Sequence, residues 1–175
     1  MSIDTSKIEL GAGNLSIKAS GEAIFTDCGA AMDAEANYKV ERKEVECAQV
    51  PGTVKNPIVG TAAEFKVQVL ERSMRNVIIG MGGDPADIIV NAGPPADHEV
   101  QMGGSFKSID CDIKYEVPQV DDRSKTDTFE MWKANAVSGI VLPYKKKGES
   151  IFELNFKGLV DSSKSDNLCS IKRED

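Results

Sequence analysis

Side chains able to do chemistry are thinly spread along this 175-residue chain. The single histidine, His98, lies in PADHEVQ after a double proline, flanked by Asp97 and Glu99. An imidazole beside carboxylates can hold a metal ion or take a proton. Adjacent residues of an extended chain point to opposite sides, so Asp97 and Glu99 do not both reach it. Without a second histidine a zinc site would need ligands from elsewhere, and His98 reads as a surface residue. Asp110-Cys111-Asp112 places two carboxylates on one strand face, an arrangement that serves cation binding or acid–base work. Lys114 beside them turns that face into an ordinary mixed, solvated one. Asp121-Asp122 lacks the regular oxygen spacing of a calcium loop.

The glycine motifs are GAG at 11–13 and GMGG at 80–83. Neither follows a strand and opens a helix, as phosphate-cradling loops require. There is no GxSxG. Cys28, Cys47, Cys111 and Cys169 are separated by long intervals with no CxxC pair, which argues against a zinc knuckle or a thioredoxin-like motif. They read as reduced thiols packed as small hydrophobes. No catalytic, cofactor-binding or metal-ligating set emerges, and the protein is expected not to be an enzyme.

The elements that must position these residues follow from composition and patterning. Hydrophobic residues at 41% and charged residues at 28% describe an ordinary globular chain. At this length about 70% of the unfolded surface is buried on folding, enough for one core. The formal net charge is -7, with acids spread along the chain. That balance lacks the clustered lysine and arginine that grip nucleic acid through counterion release. The one basic run, Lys145-Lys146-Lys147, reads as a solvated turn between strands. The N-terminus carries no basic-then-apolar leader, and AVSGIVLPY is too short to span a bilayer.

In TAAEFKVQVLERSMRNVIIGMGG (61–83), Phe65, Val67 and Val69 alternate with Glu64, Lys66 and Gln68, which is strand periodicity. After Glu71 the period changes. Met74, Val77, Ile78 and Met81 fall on one helical face, with Arg72 or Ser73 near its start and Gly82-Gly83 ending it. Ile24-Phe25 suggests a strand that ends at Cys28-Gly29-Ala30-Ala31. Tyr38 and Val40, then Val45 and Cys47, alternate with charged residues. QVPGTVKNP (49–57), with two prolines and a glycine, reads as a loop. SFKSIDCDIKYEV (105–117) alternates, with Asp110, Asp112, Lys114 and Glu116 on its polar face. PQVDDRSKTDT (118–128) reads as a loop, FEMWKANAVSGIVLPY as one or two strands, and ESIFELNFK (149–157) as another. This predicts a single, mainly β domain over 1–175: an antiparallel β-sandwich with one flanking α-helix. IELGAGNLSIK (8–18) reads as two short strand pieces around a Gly-Ala-Gly-Asn turn, either a local hairpin or part of an extended N-terminal arm over 1–20; 41–57 is expected as an inter-strand loop and 162–175 as a polar, mobile C-terminal tail.

The order of these features resembles the tail tube proteins (major tail proteins) of long-tailed bacteriophages. The likeness rests on a Cys28-Gly29 strand end, an Ala/Met/Asp-rich turn, YKVERKEVECAQ, a Pro- and Gly-containing loop, the strand AAEFKVQVLE and the short helix RSMRNVIIGMGG. It covers residues 20 to 85, and the later strands in order and spacing. The resemblance implies a virion structural protein that self-assembles into hexameric rings, stacked into a hollow tail tube and assembled in the host bacterial cytoplasm. Its implied partners are a tape-measure protein in the lumen, tail-tip initiator and terminator proteins, and double-stranded DNA passing without sequence-specific binding; membrane insertion and cofactors are not expected. Glu41, Arg42, Lys43, Val50, Pro51, Val54 and Lys55 are then candidate inter-subunit contacts. Glu64, Lys66 and Gln68 form one candidate lumen-facing strip and Asp110, Asp112 and Lys114 belong to another; at least one of the two is expected to face the channel. The alternatives are a ring-forming tail-end, neck or secretion-system protein of the same fold, and a monomeric β-sandwich binding module for which Trp132 and Tyr144 would be the aromatic candidates.

Overall fold

The computed structural model describes residues 13–47, 50–101, 107–119, 121–137, 139–142 and 151–174, with the backbone alone across 45–55. Its strands are β1 (Gly13–Ala19), β2 (Thr26–Arg42), β3 (Val45–Cys47), β4 (Val50–Lys55), β5 (Ile58–Val69), β6 (Ile89–Asn91), β7 (Asp97–Glu99), β8 (Cys111–Pro118), β9 (Thr126–Ala136), β10 (Phe152–Gly158) and β11 (Cys169–Arg173), with one α-helix, α1 (Met74–Gly80), after β5. The main sheet runs β10-β5-β2-β1-β8-β9-β11, and β10 also pairs with β9. That last pairing, Phe156 with Ala136 and Gly158 with Ala134, closes six strands into a barrel. The expected sandwich is thus corrected. Alternation reports one buried and one wet face, and a sheet closed on itself satisfies it as well as two stacked sheets do.

The barrel interior holds Leu15 and Ile17 from β1, Phe65, Val67 and Val69 from β5, Ile113 and Tyr115 from β8, Met131 from β9, and Phe152, Leu154 and Phe156 from β10. These are the inward sets that the period-two pattern picked out in β5, β8 and β10. Phe65 is central: its ring stacks on Phe129 at 5.0 Å between centroids and lies 5.7 Å from Tyr115.

Helix α1 closes one mouth. The Ser73 hydroxyl caps it by accepting from the Asn76 backbone N–H at 3.1 Å. At the other end Gly82 takes φ +81, and its N–H donates to Ile79 O at 2.8 Å while that of Gly83 donates to Ile78 O at 2.8 Å. This pair of bonds satisfies the last carbonyls and needs the left-handed conformation that glycine adopts freely. The buried residues of α1 are Asn76, Val77, Ile78, Ile79 and Gly80. The face therefore matches the expected stripe at Val77 and Ile78, whereas Met74 and Met81 are only half-buried at its margin. Gly80 is small because a Cβ there would come within 2.5 Å of Leu154 Cδ2.

Several local expectations are revised. The arm assigned to residues 1–20 includes β1, paired on one edge with β2 and on the other with β8; residues 1–12 lie outside the described set. The strand end expected at Cys28–Ala31 is the early part of the 17-residue β2. A register shift between Met32 and Glu35, with Asp33 at φ 49, lets β2 continue through its small residues. The loop at 41–57 contains the β3–β4 hairpin, with Pro51 inside β4. β9 begins at Thr126, inside the segment expected to be loop. The polar tail contains β11, which adds to β9. Lys145-Lys146-Lys147 and Tyr144 lie outside the described residues.

Candidate assembly surfaces

β2 and β5 are longer than the barrel needs. β10 pairs with β5 only from Glu64 to Val69, yet β2 and β5 stay paired to Arg42 and Ile58. Beyond Tyr38 and Ala63 the two strands leave the barrel together as a two-stranded ribbon, with the β3–β4 hairpin at its end. The ribbon departs from the mouth opposite α1, because the α1 end is marked by Val69, which lies opposite Ala31 of β2 on one side and Phe152 of β10 on the other. Tyr38 and Val40 continue the inward-facing positions of β2, but they are left open among the described residues: Tyr38 is 56% exposed, Val59 59%, and Val40 and Ile58 are exposed too. Tyr38 and Thr61 form one wall of a groove of about 320 Å³, whose other wall is Leu168 to Ile171 of β11 and its approach.

Of the residues named as inter-subunit contacts, Glu41, Arg42 and Lys43 are exposed at the end of the ribbon. The Arg42 guanidinium donates to Asn56 O at 3.3 Å, tying the two strands together. Val50, Pro51, Val54 and Lys55 lie in β4, and their side chains are outside the described set. Sequence reasoning passed over Ile58 and Val59 and noted Tyr38 and Val40 only as alternating with charged residues. The available signal was alternation in β2 running further than the paired stretch of β10 could cover.

The two polar strips offered as lumen-facing do not lie together. Glu64, Lys66 and Gln68 point outward from β5, facing Lys157, Asn155 and Glu153 of β10; Lys39 reaches Glu64 at 3.2 Å. Asp112 and Lys114 point outward from β8. Asp112 pairs with Lys18 at 2.6 Å and Lys114 with Glu116 at 2.7 Å. Asp110 sits just before β8, where it accepts from the Asn135 amide at 2.8 Å. In a ring of six strands β5 and β8 are three apart in either direction, so the two strips occupy opposite walls.

The outer face of the β8–β9 wall is partly overlaid. The segment after β10 crosses it, with Leu159 N–H donating to Lys133 O at 2.9 Å and Trp132 N–H to Leu168 O at 3.2 Å. The Lys164 ammonium sits 5.4 Å from the centre of the Trp132 ring. Trp132 is therefore half-covered on the outside of the barrel, outside the core.

Candidate chemistry stays dispersed. His98 is exposed in β7, opposite Val90. Among the described residues no group of three or more His, Cys, Asp or Glu is placed to hold a metal ion, and no helix is long and apolar enough to cross a membrane. Cys28 and Cys111 are buried free thiols and Cys169 is half-buried. Burial raises the Cys28 thiol from 9.0 to about 11, against the attraction of Arg75. Burial also raises Cys111, to about 12, with Asp112 and Asp110 adding to it. Between the unfolded and folded values the native state holds protons that the unfolded chain has lost. The contribution of these thiols to stability is thus full below about pH 9 and falls as pH rises toward 11–12. An alkylating reagent at pH 8 should spare both in the native protein and modify both in urea, read by peptide mass spectrometry. Native labelling at the rate of a free thiol would contradict their burial.

No protein-family model matches the chain, and no curated protein matches it. Among solved structures it is similar to a chain from the tail of an empty GTA particle, obtained by helical refinement with C6 symmetry. Identity is 10%, the TM-score is 0.49, and the alignment covers 98% of this chain and 99% of that one.

Proposed function

We propose that this chain is a structural tail-tube subunit, a major tail protein of a bacteriophage-like virion. Six copies form a ring, and rings stack into a hollow tube through which DNA passes. The observation that carries this reading is the β2–β5 ribbon. A monomer gains nothing from extending two strands past its own barrel with Tyr38, Val40, Ile58 and Val59 in water; contiguous exposed apolar surface marks contact with another molecule. The order of strand, ribbon, strand and helix is also the order on which the resemblance to tail tube proteins rests.

Unpaired edges point the same way. β11 pairs with β9 alone, and β5 has no partner on its outer edge from Ile58 to Ala63 among the described residues. Such edges invite uncontrolled pairing, whereas a ring that joins them closes the ladder. Glu41, Arg42 and Lys43, with Val50, Pro51, Val54 and Lys55 of β4, belong to this contact.

Because Glu64, Lys66 and Gln68 stand opposite Asp112 and Lys114, only one wall lines the channel. We assign it to β5 and β10. Their outer face carries both signs of charge, and the covering segment 159–168 lies on the other wall. A mixed face on a protein of net charge -7 provides no counterion-release affinity to stall DNA. Tape-measure, tip and terminator proteins complete the assembly, which would form in the host cytoplasm. Electron microscopy of the purified protein over a range of concentrations should show hollow tubes or six-fold rings, and helical reconstruction should place Lys66 on the channel wall. A protein that stays monomeric at high concentration, alone and with isolated tail tips, would overturn the assignment.

A further inference from the structure

The outer face of the β8–β9 wall holds a cleft that the assembly contacts do not use. Its floor is Lys18 of β1, Asp112 of β8 and Glu130 of β9. These three face outward because their neighbours Ile17, Ile113 and Met131 fill the barrel. One wall is the helical turn Ser162–Lys164 in the segment that crosses this face. Asp161 caps that turn by accepting from the Ser163 backbone N–H at 2.9 Å. Phe25, from the connection between β1 and β2, and Trp132 complete the lining. The cavity measures about 340 Å³. It adjoins a second, of about 290 Å³, that shares Lys18, Asp112 and Asp161.

Its charges are already answered. Asp112 pairs with Lys18 at 2.6 Å and Glu130 with Lys172 at 3.2 Å, and Asp161 lies near Lys133 and Lys164. An ionic ligand of either sign would have to break a pair. Two neutral features remain open. Both rings are reached by polar groups, with the Lys18 ammonium 5.4 Å from the centre of Phe25 and that of Lys164 5.4 Å from Trp132. Among the described residues the Trp132 indole N–H and Glu130 Oε1 make no hydrogen bond. Aromatic rings beside a few placed polar groups are the usual make-up of a small-molecule site.

We infer that this cleft binds a neutral oligosaccharide. The C–H face of a sugar ring is slightly positive and suits the negative face of an aromatic ring. Its hydroxyls accept from the indole N–H and donate to Glu130 Oε1. Lys164 is exposed, and its ammonium moves aside as the sugar seats. The adjoining cavity gives room for a further ring. The placement on the outside of the tube rests on the tube reading, which gives the β5–β10 wall to the channel; the binding itself does not.

Trp132 is the single tryptophan of the chain, so intrinsic fluorescence reports on the cleft. Cello-, malto-, chito- and galacto-oligosaccharides should be titrated into the purified protein, with a sulfated oligosaccharide as the charged counterpart. At least one neutral series should give a saturable change in Trp132 emission. Phe25→Ala removes a ring that lies outside the core, and circular dichroism should show it folded like the parent. It should weaken binding by at least about tenfold, as loss of an aromatic anchor does. Lys66→Ala, on the opposite wall, should bind like the parent. No saturable change with any neutral series, binding of the sulfated sugar alone, or binding that Phe25→Ala leaves unaltered would overturn the inference. Electron microscopy separates this result from the tube reading: tubes without sugar binding remove the cleft and keep the tube, and sugar binding by a chain that never assembles does the reverse.

Discussion

Phe65→Ala lowers the unfolding free energy by about 3–5 kcal/mol, the range for truncating a large aromatic in a well-packed core. The ring is 1% exposed, so its removal forfeits nearly all of its transfer energy. Phe129 stacks on it and Tyr115 tilts against it, and both belong to a closed wall. β8 and β9 are paired along most of their lengths, and β5 is held between β2 and β10. A barrel wall pinned on both sides cannot collapse inward to fill the space, so the cavity term adds to the transfer term. A domain of this kind is stable by only about 5–15 kcal/mol, and the variant should sit near the edge of folding at 37 °C. Urea unfolding followed by circular dichroism measures it, with the midpoint falling and the slope unchanged. A loss below about 1 kcal/mol would mean that Phe65 does not face a closed interior.

The second large effect concerns a polar residue. Asn76 is 2% exposed, in the middle of the helical face that plugs the barrel. Its amide donates to Cys28 O at 2.9 Å and to Glu71 O at 3.0 Å, so one side chain joins α1, β2 and the turn after β5. Asn76→Ala leaves two carbonyls short of a partner and opens a void. At about 1–3 kcal/mol for each unsatisfied buried group, a loss of about 2–4 kcal/mol is expected. Nearby Arg75 donates to Ile17 O at 3.0 Å and pairs with Glu22 at 2.6 Å; it anchors a different edge of the helix and does not replace the missing amide. Hydrogen exchange should show α1 amides losing protection ahead of β1 and β8. Uniform loss of protection, or a change within the ±0.5 kcal/mol typical of surface sites, would remove Asn76 from this role.

Much of the local structure was readable in the residues themselves. Alternation placed Phe65, Val67, Val69, Ile113, Tyr115, Phe152, Leu154 and Phe156 inside and their neighbours outside, because side chains on a strand change sides at each residue. The switch to a helical period after Glu71, with Arg72 or Ser73 near the start and a glycine stop, located α1, since those signals act over one or two turns of chain.

Closure lay beyond reach. Ladder hydrogen bonds use backbone groups that every residue but proline shares, so nothing in FELNFKG announces that Phe156 will face Ala136 as well as Phe65. The same blindness left open which of the strips carrying Glu64 and Asp112 would face a channel; only strand order puts them on opposite walls of the barrel. It hid the continuation of β2 through Gly29, Ala30 and Ala31, where small residues look like an ending until a partner strand holds them. It also hid Asn76, whose type suggests solvent and whose burial depends on two carbonyls from distant elements. The sequence by itself determined which side of each strand is apolar and where the helix starts and stops, because those follow from neighbours in the chain. The tertiary structure alone decided the barrel, its two unlike mouths and the ribbon left open at one of them, because these depend on pairings between residues far apart in sequence.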